Sequence, residues 1–198
     1  DLKPENILLD ARGYAKLCDL GFARFVLTKS NTCVGTLEYM APEMIDTPHA
    51  HDKMVDWWAL GILAFELITG QVPWDDEAAT DTMAQLAMIR SGQEKGIPSE
   101  LLPSGSILIK DFIKQLLVVN EAQRMGRKRG GAEVREHTWF ARAGFDFAAL
   151  QAGTLPAPYT PPHKVVEKRL PDDFDDSQAP GSLYAEYTPD GTGWEAAF

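Results

Sequence analysis

Asp1-Leu2-Lys3-Pro4-Glu5-Asn6 opens the chain, and Asp19-Leu20-Gly21 follows thirteen residues after Asn6. Between them, Ile7, Leu8 and Leu9 run into Asp10-Ala11-Arg12-Gly13, a cluster of turn formers, and residues 14–18 alternate. That pattern predicts two short strands around a turn. Residues 21–40 carry little periodicity and read as a long ordered loop, which inside a compact domain is more often functional than idle. Over residues 53–67 apolar side chains recur at helical spacing with hardly a polar face, the mark of a buried helix. Gly70 and then Pro73 end it. Further helices are predicted over residues 78–90, 107–119 and, briefly, 133–137. After Phe140 the prolines 156, 158, 161 and 162 make an extended segment, and Asp172, Asp173, Asp175 and Asp176 surround Phe174. Such a tail cannot build its own core.

At 198 residues, 44% hydrophobic and 24% charged, the chain is long enough for one domain with a core and an appendage. No apolar run reaches the ~18 residues of a membrane span, and the first residues lack a signal peptide's basic start and apolar core. A net charge of −10 argues against non-specific nucleic-acid binding and suits a protein that receives basic peptides. Cys18 and Cys33 form neither a metal-ligand pattern nor a disulfide framework; a reducing, cytoplasmic setting is expected. His49 and His51 flank one alanine without further ligands and read as loop residues.

Asp1-Leu2-Lys3-Pro4-Glu5-Asn6 resembles the second half of the protein-kinase catalytic loop, H-R-D-x-x-x-x-N. Phosphoryl transfer needs a carboxylate to orient and deprotonate the attacking hydroxyl, a cation beside the γ-phosphate, and an oxygen donor on Mg²⁺. Asp1, Lys3 and Asn6 are those types in that order. Asp19-Leu20-Gly21 resembles the metal-binding D-F-G, with Leu for Phe; Asp19 would chelate Mg²⁺, and Gly21 would let the backbone turn sharply. Ala41-Pro42-Glu43 matches A-P-E, whose Glu pairs in the family with a distant buried Arg, here Arg124. Asp56 matches the residue that holds the catalytic loop's backbone amides.

Thr32-Cys33-Val34-Gly35-Thr36-Leu37-Glu38-Tyr39 resembles the activation segment of the AGC group of serine/threonine kinases, T-x-C-G-T-P-E-Y. The resemblance makes Thr32 the regulatory phosphorylation site, paired with Arg24, and Thr36 the threonine that bonds Asp1 and Lys3. Leu37 departs from the usual proline, and Cys33 stands one position early. Glu5 and Glu66 match positions that bind a substrate Arg, with Glu38 a further candidate. His137-Thr138-Trp139-Phe140 resembles the H-x-W-F ending of AGC lobes. Gly153-Thr154-Leu155, Phe174-Asp175 and Gly193-Trp194-Glu195-Ala196-Ala197-Phe198 look most like the tails of cGMP-dependent kinases. The resemblance implies that Phe174 nears the adenine and Phe198 fills a small-lobe pocket.

The expected fold is therefore α+β and protein-kinase-like: a mostly helical C-lobe over 1–140 with a two-stranded element, an AGC tail over 141–198, and no N-lobe. The implied function is transfer of the ATP γ-phosphate to Ser/Thr of substrates with Arg or Lys before the acceptor. ATP and Mg²⁺ are the expected cofactors, and the N-lobe and a cyclic-nucleotide-binding regulatory region of the same protein the expected partners. By itself the chain is expected to be inactive. Alternatives are a cAMP-dependent or other AGC kinase, or a pseudokinase or scaffold lobe that only binds peptides or regulators.

Overall fold

The structure is a computed structural model and describes residues 1–23, 29–30, 35–74, 81–103, 105 and 107–162. One compact unit spans Asp1–Pro161, and a second spans Pro162–Phe198. The expectations for Arg24, Thr32, Cys33, Phe174 and Phe198 lie outside the described residues.

The first turn is a 3-10 helix, Pro4–Asn6, which leads into strand β1, Ile7–Leu9. β1 pairs antiparallel with β2, Ala15–Leu17, in the register Ile7↔Leu17, Leu8↔Lys16, Leu9↔Ala15. The Asp10 carboxylate makes the turn by accepting from the backbone N–H of Arg12 and of Tyr14, both at 2.9 Å. These bonds, led by the one from Tyr14, hold its pKa below the usual carboxylate value. After the loop come a second 3-10 turn, Leu37–Tyr39, and a short helix α1, Pro42–Ile45, with proline in its first turn.

Helix α2, Met54–Thr69, is the axle of the unit. Met54, Trp58, Ile62 and Phe65 have no exposed surface, whereas Asp56 and Leu67 face solvent, so the helix is buried along most but not all of its circumference. It ends at Gly70 in the left-handed region (φ 79), whose N–H reaches the Glu66 carbonyl. Asp52 supports its start: the carboxylate accepts from Met54 N–H at 2.9 Å and from Arg127 at 2.5 Å. Burial works to raise the Asp52 pKa, but those two partners outweigh it and the net shift is downward. Across the core, α2 packs on α4, Ile107–Leu116. A Cβ on Gly61 would stand 2.7 Å from Leu117 Cδ2 and 2.9 Å from Leu116 Cβ, so the glycine permits the close helix approach.

Helix α3, Thr82–Lys95, differs from the expected 78–90. Asp81 caps it, accepting from Ala84 N–H, and it continues through Gly92. A Cβ there would meet Trp74 Cδ1 at 2.4 Å, so tertiary packing overrides glycine's poor helix propensity. Helix α4 stops at Leu116 rather than 119, and beyond its end Arg124 takes the Val118 carbonyl at 3.0 Å. Instead of one helix near 133–137 there are two, α5 (Gly131–Arg135) and α6 (Thr138–Arg142). His137 divides them and caps α6 by accepting from Trp139 N–H. Helix α7, Phe147–Gln151, follows, its Phe147 ring 4.9 Å from Phe140. No helix among the described residues is long and apolar enough to cross a membrane.

Candidate functional site

The 3-10 turn of Pro4–Asn6 folds the first six residues back on themselves, and Gly35 and Thr36 stand against Asp1. The Asp1 side chain is only 9% exposed. Its Oδ1 accepts from the Thr36 backbone N–H at 3.0 Å and from the Thr36 hydroxyl at 2.8 Å. Lys3 Nζ lies 3.2 Å from Asp1 Oδ2 and donates to Thr36 Oγ1 at 2.7 Å. Carboxylate, ammonium and hydroxyl thus form a closed triangle across a sequence gap of more than thirty residues. Thr36 is the pivot, because a hydroxyl can give its proton to Asp1 while accepting from Lys3. Charge-assisted bonds of this kind are the strong ones.

Asn6 is buried, and its amide N–H₂ is given to Asp1, to the backbone carbonyl at 2.8 Å and to Oδ2 at 3.4 Å. Its carbonyl oxygen is the atom left for another ligand. The Cys18 N–H donates to the Asn6 backbone carbonyl at 2.8 Å, which sets Asp19 beside Asn6 at the end of the hairpin. The positive φ of that turn, 56°, falls on Asp19 and not on Gly21. Aspartate tolerates this region better than most residues, at a cost. Gly21 contributes through its missing side chain: a Cβ would lie 3.1 Å from Asp19 Oδ1, which accepts from the Gly21 N–H at 3.2 Å. Leu20, at 65% exposed, packs against little of the chain.

Among the described residues no three His, Cys, Asp or Glu come together as a metal site. The Asn6 carbonyl and the exposed Asp19 carboxylate nevertheless fit Mg²⁺. Both are hard oxygens, and Mg²⁺ is commonly held by one or two such groups plus substrate phosphates.

Of the three expected peptide-binding acids, one is bonded to a residue absent from that set. Tyr39 is buried, and its hydroxyl donates to Glu66. Its pKa is pushed above the usual tyrosine value by burial first, then by the Glu66 bond and charge, then by the charges of Glu5 and Glu38. Glu38 accepts from Gln85 at 2.8 Å, while Glu5 is exposed. Tyr39 stands within the activation-segment pattern, but spacing gives no hint of its bond to Glu66.

Behind the site, Glu43 and Arg124 form a bidentate pair, Nη1 to Oε1 at 2.6 Å and Nη2 to Oε2 at 2.8 Å. Arg124 is fully buried, also donates to the Met54 carbonyl at 2.7 Å, and lies 5.0 Å over the Trp58 ring. One guanidinium therefore ties α1, the start of α2 and the segment after α4. Asp56 has solvent contact on one side, yet burial of its carboxyl raises the pKa. None of the backbone N–H groups of residues 1–6 donates to it.

A family model described as "Protein kinase domain" matches residues 1–140. The chain belongs to the protein kinase domain family. It is 39% identical over 162 residues to the mouse (Mus musculus) cAMP-dependent protein kinase catalytic subunit PRKX, a match covering 81% of this chain and 42% of that protein. It is 40% identical over 202 residues to a Drosophila melanogaster cGMP-dependent protein kinase, isozyme 2, covering 100% of this chain and 20% of the relative. The Dictyostelium discoideum cAMP-dependent protein kinase catalytic subunit is 43% identical over 143 residues, or 71% of this chain and 20% of its own length. This kinase chain thus spans under half the length of each. All three are named for a cyclic nucleotide, the class that the tail resembles.

Proposed function

We propose that the whole protein transfers the ATP γ-phosphate to Ser or Thr of basic protein substrates in the cytoplasm, under cyclic-nucleotide control. Residues 1–140 would be its catalytic lobe and residues 141–198 its tail. The observation that carries this reading is the Asp1–Lys3–Thr36 triangle. Asp1 is held by two donors from Thr36 with its other oxygen toward Lys3, so its carboxylate is oriented to accept the proton of an incoming hydroxyl. Lys3 sits beside it as the cation for the transferring phosphate. Such catalysis is chiefly positioning and charge neutralisation.

Asn6 and Asp19 would hold Mg²⁺ in this reading. Mg²⁺ supplies neutralisation of the phosphate charges when bound. Glu5, Glu38 and Glu66 would receive Arg or Lys preceding the acceptor, and the match along the whole chain to a kinase named for cGMP supports a nucleotide-responsive region elsewhere in the protein. Thr32 with Arg24, and Phe174 at the adenine, remain part of the proposal through resemblance alone. In isolation the 198-residue chain is expected to be inactive.

The test is phosphorylation of an Arg-rich peptide by the full-length protein, against a matched peptide with Arg replaced by Ala, with and without cGMP or cAMP. Preference for the Arg peptide that disappears in Glu66→Ala, and a rate raised by one nucleotide, are the expected results. Equal rates on both peptides would remove the basic-substrate assignment, and indifference to both nucleotides would remove the regulatory one.

A further inference from the structure

The hairpin that carries Asn6 and Asp19 is thinly supported. Its strands have three residues each, and Leu8, Leu9 and Leu17 are all 47% or more exposed. A two-stranded hairpin is at best marginally stable in water, so contacts beyond its own ladder must hold it. Three consecutive residues of its turn make them, and none has a role in the site described above.

Tyr14 donates its hydroxyl to the Leu155 carbonyl at 2.6 Å. A Cβ on Gly13 would stand 2.0 Å from the Tyr159 carbonyl oxygen and 2.8 Å from Ala157 Cβ. The tail backbone therefore lies directly on the glycine, whose φ of 84° independently disfavours a side chain. Arg12 covers the Tyr14 ring at 4.9 Å, and its Nη1 is 3.4 Å from where a Cβ of Gly153 would be. The tail side is itself anchored. The N–H groups of Thr154 and Leu155 both donate to the Ala149 carbonyl in α7, at 2.9 and 3.1 Å, and α7 is fixed to the lobe through Phe147 on Phe140.

We propose that residues 153–159 clamp the hairpin turn, making Arg12, Gly13 and Tyr14 positioning residues that hold Asn6 and Asp19 in register about 15 Å away, at roughly 3.3 Å per strand residue. The inference rests on the reading of Asn6 and Asp19 as metal ligands. Force reaches them along β1 and β2, and the Cys18-to-Asn6 bond is where the strand ends meet. A clamp at one end of a short ladder raises the cost of opening the other end.

The experiment is amide hydrogen exchange on the full-length protein, wild type against Tyr14→Phe, with Mn²⁺ affinity measured in parallel in the presence of ATP. The phenylalanine keeps the ring under Arg12 and removes only the donated bond. Exchange of the Cys18 and Leu155 amides should quicken about five-fold, the effect of one neutral hydrogen bond. Mn²⁺ affinity should fall by a similar factor, with α2 exchange unchanged. Gly13→Val, which expels the tail backbone, should act more strongly in the same direction. Faster exchange at Leu155 with Cys18 at the wild-type rate would overturn the clamp. Wild-type Mn²⁺ binding no tighter than that of Asp19→Ala would instead sink the metal-ligand reading, and the Cys18 rate would still judge the clamp.

Discussion

Replacing Glu43 with Gln breaks the Arg124 pair, because the amide keeps the shape but loses the charge and one of the two acceptor oxygens. Arg124 has no exposed surface and Glu43 is 12% exposed. The guanidinium would keep its bonds to the Met54 and Val118 carbonyls, at 2.7 and 3.0 Å, and the Trp58 ring 5.0 Å away. It would lose its counter-charge without gaining water. Removing one partner of a buried pair costs roughly 3–5 kcal/mol. At about 2–4 °C per kcal/mol for a domain of this size, the melting temperature should fall by ~6–20 °C. Tryptophan fluorescence, to which the buried Trp58 contributes, reports the transition. Arg124→Met should be comparably destabilising, since it orphans Glu43 and three carbonyls. The double variant should cost clearly less than the sum, because each change removes the reason for the other's penalty. A Glu43→Gln cost below about 1 kcal/mol, the range of surface pairs, or strict additivity, would refute the reasoning.

Thr36→Val should lower kcat of the full-length protein by about 10- to 100-fold, since it removes one charge-assisted bond from Asp1 and one from Lys3; Thr36→Ser should recover most of it. A valine variant at wild-type kcat would dissolve the triangle's proposed role. Because the Tyr39 pKa is raised in the folded chain, its stabilisation is complete below the unfolded value of about 10 and is lost as pH rises above it. Denaturation midpoints should therefore fall above about pH 10 and fall less steeply in Tyr39→Phe; parallel profiles would contradict the assignment. Gly61→Ala should cost about 1–3 kcal/mol by overpacking against Leu116 and Leu117, read by chemical denaturation. An unchanged midpoint would mean that α2 and α4 separate without penalty.

The buried helix was readable because residues 53–67 have hardly a polar face, and Gly70 stops it where a left-handed residue is needed. The hairpin was readable from Asp10-Ala11-Arg12-Gly13. The extent of α3 was not, because Gly92 looks like a breaker until Trp74 is seen against it. Nor was the early end of α4, beyond which Arg124 takes the Val118 carbonyl. In the site, the resemblance to kinase motifs singled out Asp1, Lys3, Asn6, Asp19 and Thr36. No motif marks two further features: the left-handed backbone at Asp19 rather than at Gly21, and the Tyr39 bond to Glu66, which joins distant parts of the chain. Periodicity does not encode contacts between segments so far apart.

The central claim is that Asp1 serves phosphoryl transfer, and transfer of labelled γ-phosphate to a serine in an Arg-rich peptide tests it most directly. The full-length protein with ATP and Mg²⁺ should phosphorylate that serine, and Asp1→Asn, which keeps the hydrogen-bonding frame around Thr36 but removes the base, should abolish the reaction. Transfer undiminished in Asp1→Asn, or none by a folded wild-type protein phosphorylated at Thr32, would contradict the account.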